Sequence, residues 1–229
     1  MRLLIEILIS AVSGLAAGLL FQRITVLQLK KRTDDSSKIK AVNKPSVIIP
    51  WMLISAALFA LLTWKLKEQC IVLVEYLIIA STAINIFAVD ALIRKVPNSS
   101  LLILLVTRAI GIVLEIVFKV GTVKSVVIPS FVGLFIAFLV FSLPSFFGIQ
   151  IGAGDVKYSA VIGFCLGFIG FLEAAVIMGI VNLGYWAYLK ITHKGNGKTL
   201  APMGPCLSTG VIITLLIPLT EYIGNFGIF

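Results

Sequence analysis

Residues 70–90 read "CIVLVEYLIIASTAINIFAVD". Apart from Glu75 and a few small polar side chains, the stretch is apolar until Asp90 closes it. A helix needs about 20 such residues to cross the hydrocarbon of a bilayer, so 70–89 reads as one span. Working outward, residues 3–21, 46–64, 101–118 and 126–147 have the same character. The run 156–189 is too long for one crossing and short for two. Gly167, Gly170 and Glu173 mark a tight turn in its middle, so two short helices are expected there, and 207–223 supplies the last. The expectation is an all-α, polytopic membrane bundle of about eight transmembrane helices. It is one domain over 1–229, with two spans and a short basic loop in 1–66 and a six-helix core in 70–229.

Composition agrees. The 229 residues are 59% hydrophobic and 13% charged, with a mean hydropathy of +1.11. That is far more apolar surface than a soluble domain of this length hides. The net charge of +9 comes from short basic segments between apolar runs, which is the pattern of membrane loops and not of a nucleic-acid-binding face. Cys70, Cys165 and Cys206 are odd in number and far apart, so they read as free thiols. His193 stands alone in a Lys- and Gly-rich loop. No metal site and no cofactor are expected.

The charges also orient the chain. Only Arg2 precedes the first span, while Arg23, Lys30, Lys31, Arg32, Lys38, Lys40 and Lys44 follow its apolar part. "GLAAG" near its end resembles a signal-peptide cleavage site, but basic residues stay inside, so the segment reads as a span with its N-terminus outside. Alternation then places Arg94, Lys95, Lys157, Lys190, Lys194 and Lys198 inside. Arg2, Lys65, Lys67, Lys119 and Lys124 fall outside. "GLAAG" (Gly14, Gly18) and "GFCLG" (Gly163, Gly167) have the small-xxx-small spacing that lets helices approach closely.

Acids within or beside spans are costly and informative. Glu6, Glu75, Glu115, Glu173 and Glu221 fall in outer halves, where a side chain is able to snorkel to the headgroups. Arg108 lies mid-span and is expected to form an ion pair or polar contact inside the bundle. Asp90, in "AVDALIRKVPN", and Asp155, in "QIGAGDVKY", both reach the cytoplasmic end. Two carboxylates at one depth, away from bulk water, do not both ionise cheaply, so a proton is shared between them. An aspartic protease works this way: one carboxylate takes a proton from water, and the other serves the scissile carbonyl. Gly152 and Gly154 allow unusual backbone angles and leave room for an extended substrate strand. Each acid also has an ordinary reading: Asp155 as a helix N-cap followed by Lys157, Asp90 as a helix-end acid paired with Arg94 or Lys95.

Here the residues resemble a family. "GAGDVKYSAVIGFCLG" resembles the G-x-G-D-x-K signature of type IV prepilin peptidases. "DALIRKVPN" is similar to their other catalytic segment, an Asp followed by (Ile/Val)-Pro-Asn. "APMGPCLSTG" is similar to their Pro-Phe-Gly-Pro-x-Leu segment, with Met203 at the aromatic position. The resemblance runs from about residue 77 to 214. It implies that Asp90 and Asp155 are the catalytic pair of a membrane aspartic endopeptidase, with Gly152, Gly154, Lys157, Pro97, Asn98, Pro202, Gly204 and Pro205 in support. It implies prepilin or pseudopilin substrates, cut after a short basic leader at the cytoplasmic face of the inner (cytoplasmic) membrane. Membrane lipid is then the surrounding partner, met first by Lys157, Arg94 and Lys95; nucleic acid is not a partner, and the sequence does not specify the oligomeric state. Many bacterial relatives carry a domain with two Cys-x-x-Cys pairs between the first two spans and also methylate the new N-terminus. Here that position holds only a Lys-rich loop without cysteine, so cleavage without methylation is expected.

Three rival readings exist. Preflagellin peptidases share the acid pair but typically lack two preceding spans. Presenilin-like enzymes share G-x-G-D but carry Tyr-Asp and Pro-Ala-Leu motifs, whereas Val89 precedes Asp90 here. A proton-coupled transporter, from another class, would place its acids nearer the midplane on broken helices.

Overall fold

The computed structural model describes residues 2–66, 69–148, 151–192 and 203–218. These residues form eight α-helices: α1 (Arg2–Lys30), α2 (Ser36–Val42), α3 (Pro45–Lys65), α4 (Cys70–Ile93), α5 (Asn98–Val117), α6 (Val123–Phe146), α7 (Ala153–Ile191) and α8 (Met203–Leu216). Six of them, α1 and α3 to α7, are long and apolar enough to cross a membrane. The chain is a multi-pass membrane protein.

Side-chain placement is inverted relative to a soluble protein. Large apolar residues such as Leu8, Leu102, Val113, Phe131 and Phe135 face outward. Ser10, Ser55, Ala80, Ser81, Thr82, Ala83 and Ser130 are buried between helices. In lipid no hydrophobic gain drives helices together, so close packing of small residues does it. Gly14 and Gly18 fit this: a side chain at either would run into α3 at Ala56, Ser55 or Met52. Ser10 adds a hydrogen bond to the Phe59 carbonyl (3.1 Å). Gly133 of α6 and Gly163 of α7 sit backbone to backbone, so Gly133→Ala should cost about 1–3 kcal/mol through overpacking. Gly179→Ala, where nothing lies near, should be neutral or gain about 0.5–1 kcal/mol from helix propensity. Thermal unfolding of both variants in detergent checks the contrast.

Three differences from the sequence-based expectation have clear causes. First, α1 runs past Phe21 to Lys30, because Gln22, Thr25 and Gln28 turn inward, where Gln22 Nε2 donates to the Val42 carbonyl and Thr25 and Gln28 accept from Asn85. Second, the basic loop contains α2, capped by Asp35, whose side chain accepts from the Ser37 amide (3.0 Å). Val42 at its end packs with Val26, Leu29, Trp51 and Val89, so the segment is docked on the bundle. Third, α8 starts at Met203, ahead of the expected 207, and at 14 residues it is shorter than the six long apolar helices; from residue 219 on, the expected last span lies outside the described residues.

The 39-residue α7 is broken at Gly167 (φ 71°, ψ −179°), a conformation open essentially to glycine alone. Gly170 and Glu173, expected in the turn, are instead helical. The break reverses the chain. On the first arm Phe164 meets Phe131 with ring centroids 5.4 Å apart. A straight continuation would put Phe171 opposite about residue 125, some 24 Å from Phe141 at a rise of about 1.5 Å per residue. Phe171 is instead packed on Phe141, centroids 6.2 Å apart. Chain reach agrees: an unbroken α7 would be about 58 Å long, while the steps from Ile191 to Gly204 reach at most about 47 Å. Yet Gly204 lies beside the end where α7 begins. The second arm returns along α8, where Gly210 packs against the Ala174 backbone.

Away from that end, Arg108 meets both oxygens of Glu75 (3.1 and 3.0 Å), Glu115 (2.9 Å) and Ser130 (3.1 Å). The expected ion pair of Arg108 is present. Snorkelling is not what Glu75 and Glu173 do, since both are buried. Glu75 and Glu115 are drawn inward by one shared guanidinium. Glu221 lies outside the described residues.

Candidate active site

Asp90 sits on the last turn of α4. The helix stops because Arg94 takes a left-handed C-cap conformation (φ 51°, ψ 44°), with its amide on the Asp90 carbonyl (2.8 Å). Val96 and Pro97 follow; Pro97 is buried and opens α5 as its N-cap. Proline after a helix end blocks continuation and keeps the preceding residue extended, so α4 and α5 are joined by a short turn at one end of the bundle. We call this the Asp end.

Asp155 enters from α7. Gly152 is the N-cap, and the Asp155 amide donates to its carbonyl (2.9 Å). Asp155 is therefore not the cap itself. Its carboxylate lies in the first turn, where the helix dipole favours negative charge. Gly152 has ordinary extended angles (φ −60°, ψ 130°), and the positive-φ glycines among the described residues are Gly148 and Gly167. The G-x-G pattern thus acts through space and not through backbone strain. A Cβ on Gly152 would stand 3.0 Å from the Asp155 carboxylate, and one on Gly154 3.2 Å from the Val96 side chain.

The two acids line one cavity of about 440 Å³. Asn98, Gly152, Gly154 and Lys157 also line it, as do Arg32, Arg94, Lys95 and Val96. Asp90 is buried and Asp155 half-buried. Among the described residues no ion pair forms between Asp90 and Arg94 or Lys95, so the paired helix-end reading is not the arrangement found. Asp90 is held from α8 instead: the Gly204 amide donates to its Oδ2 (3.2 Å). Pro205 is buried behind Gly204. Tyr158, one turn after Asp155, shares a 2.9 Å hydrogen bond with Ser208 and so ties the Asp155 arm to the helix that holds Asp90.

Of the residues singled out in the sequence, Asp90, Asp155, Gly152, Gly154, Lys157 and Asn98 meet at the cavity. Pro97, Gly204 and Pro205 stand behind it, and Pro202 lies outside the described residues. Sequence reasoning missed Arg32, Tyr158 and Ser208. Among the described residues no three His, Cys, Asp or Glu side chains are grouped as a metal ion needs. A Cβ on Gly204 would fall 2.6 Å from Asp90 Oδ2. Gly204→Ala should therefore displace the carboxylate, and any turnover that depends on the acid pair should fall by about 10²-fold, as misplacement by about 1 Å does, while the protein still inserts; steady-state kinetics beside a thermal scan checks this.

Comparison of the chain with protein-family models, curated proteins and solved structures found no match.

Proposed function

We propose that this protein is a membrane aspartic endopeptidase of the prepilin peptidase type. It removes a short basic leader from prepilin- or pseudopilin-like substrates at the cytoplasmic face of the cell membrane. The observation that carries the reading is the placement of Asp90 and Asp155 on different helices around one polar cavity at the end of the bundle. A transporter would want acids near the midplane that are free to exchange a proton; Glu75 and Glu115, within the spans, are instead held by Arg108.

The chemistry follows from the two acids. One carboxylate, ionised, takes a proton from a water molecule as the water oxygen attacks the scissile carbonyl carbon. The other, protonated, donates to the carbonyl oxygen. The tetrahedral intermediate then collapses, the C–N bond breaks, and the leaving amine takes a proton back from the pair. The Gly204 amide occupies Oδ2 of Asp90, which fixes the carboxylate's rotation and leaves Oδ1 for the water or substrate. Gly152 and Gly154 present a wall without side chains, so an extended strand fits against Asp155; a helical peptide would hide its scissile carbonyl. We hold the activity to cleavage alone, because the cavity beside α2, about 450 Å³ and lined by Val42, Val47, Trp51 and Phe87, is walled by apolar side chains and offers no charged partner for a methyl donor. Coexpression with a leader-bearing substrate tests the reading, with the product's mass reporting both the cut and a free N-terminal amine.

Orientation is part of the proposal. Arg23, Lys30, Lys31, Arg32, Lys38, Lys40, Lys44, Arg94, Lys95, Lys157 and Lys190 all lie toward the Asp end by the course of the helices, and basic residues stay cytoplasmic. With the exposed Cys70 replaced by Ser, an impermeant thiol reagent added outside whole cells should label a cysteine placed at Lys119 and spare one placed at Ser36. Labelling at Ser36 would reverse the orientation and remove the cytoplasmic site of cleavage.

A further inference from the structure

Gln28, Asn85 and Ser100 form a closed hydrogen-bond ring. The Asn85 Nδ2 donates to Gln28 Oε1 (3.1 Å), Gln28 Nε2 donates to Ser100 Oγ (2.9 Å), and Ser100 Oγ donates to Asn85 Oδ1 (2.5 Å). All three residues are buried, in surroundings where an unsatisfied polar group is expensive and hydrogen bonds reinforce one another. The ring joins α1, α4 and α5, one residue from each. Each helix also places a cavity-lining residue within about two turns of its ring member: Arg32 one turn beyond Gln28, Asp90 beyond Asn85, and Asn98 just before Ser100. Beyond Gln28, α1 closes with a tight turn in which the Arg32 and Thr33 amides both reach the Leu29 carbonyl (3.0 Å each). That turn leaves Arg32 half-buried at the cavity, with no carboxylate among the described residues at ion-pair distance.

We infer that Arg32 is a substrate-binding residue of the acid-pair cavity, and that the Gln28–Asn85–Ser100 ring is the positioning element that holds it there. The first helix is thus a working wall of the site. An extended strand entering the cavity brings backbone carbonyls that no longer bond to one another. A guanidinium offers five N–H donors in a fixed fork, which suits that strand and, after cleavage, the new C-terminal carboxylate. The ring sets how far the α1 wall stands from Asp90, so it acts on binding through Arg32 and leaves the chemistry of the acids in place. The inference rests on the peptidase reading, and the two fail in distinguishable ways.

The test uses the full chain in liposomes with a leader-bearing peptide. Arg32→Gln should raise KM about tenfold, the loss of one charged hydrogen bond, with kcat nearly unchanged. Gln28→Leu should do the same, and the double variant should be no worse than either alone, because both remove one interaction. Spin labels on cysteines at Lys31 and Lys95, with Cys70 replaced by Ser, should give one narrow distance that Gln28→Leu broadens. If Gln28→Leu fails to insert, Ser100→Ala opens the same ring by one hydroxyl. Additive effects of the two substitutions, a fall in kcat at constant KM, or an unchanged label distance would overturn the inference. If the unsubstituted protein leaves leader peptides intact, the peptidase reading and Arg32's role fall together, while the label distance still decides whether the ring positions α1.

Discussion

Asp90→Asn and Asp155→Asn should each lower leader cleavage by about 10³-fold, the scale of acid–base assistance by a positioned side chain, while both variants insert and accumulate normally. In the proposed mechanism the two carboxylates exchange protons in opposite senses. An amide at either position neither accepts the water proton nor donates one to the carbonyl oxygen. The two substitutions should also be non-additive, since residues that act as a unit fail together. Asparagine is close to isosteric with aspartate, so at position 90 its side-chain oxygen still accepts from the Gly204 amide now bonded to Oδ2 at 3.2 Å. A loss of activity with an unchanged thermal scan therefore reports chemistry and not folding. Near-normal processing by either variant would end the assignment. Glu75→Gln, Glu115→Gln and Glu173→Gln should retain most activity, because none of these residues lines the cavity of the acid pair.

Arg108→Leu should be the most damaging substitution for stability, by about 3–5 kcal/mol, the cost of leaving buried charge without its partner. One guanidinium serves Glu75, Glu115 and Ser130 across three helices, and the Glu75 side chain is 2% exposed. Removing it leaves two carboxylates facing each other among apolar side chains. Replacing all three charged residues together, Arg108→Met with Glu75→Leu and Glu115→Leu, should restore much of the loss, because a buried triad gives little net stability over apolar packing of similar volume. Thermal unfolding in detergent reads both variants. If the single substitution melted like the unsubstituted protein, the triad would carry none of the stability assigned to it.

The spans were legible because lipid imposes length and composition on every crossing. Residues 70–89 became α4 within a few residues, and the glycine-marked break at 167 fell inside the run too long for one helix. Legibility ended where polar residues face inward. Gln22, Thr25 and Gln28 resemble the end of an apolar run, yet their helical spacing turns them toward α2, α4 and α5, whose approach no local pattern records. Glu75 read as an outer-half acid because Arg108 reaches it only after α4 and α5 pack, whereas Glu115 lies two turns along α5 from Arg108 and the sequence alone held that pairing. The acid pair and its glycines stood out in sequence, being costly residues at helix ends. Arg32 did not, since a basic residue after a span already has a sufficient topological reason. Its spacing of one turn from Gln28 was the available signal.

The most direct test of the central claim is mass spectrometry of a leader-bearing, prepilin-type substrate incubated with the purified protein in liposomes. The account predicts two fragments from a single cut between the basic leader and the apolar helix, absent when Asp90 or Asp155 is Asn. An intact substrate, or the same fragments from the Asn variants, would contradict it.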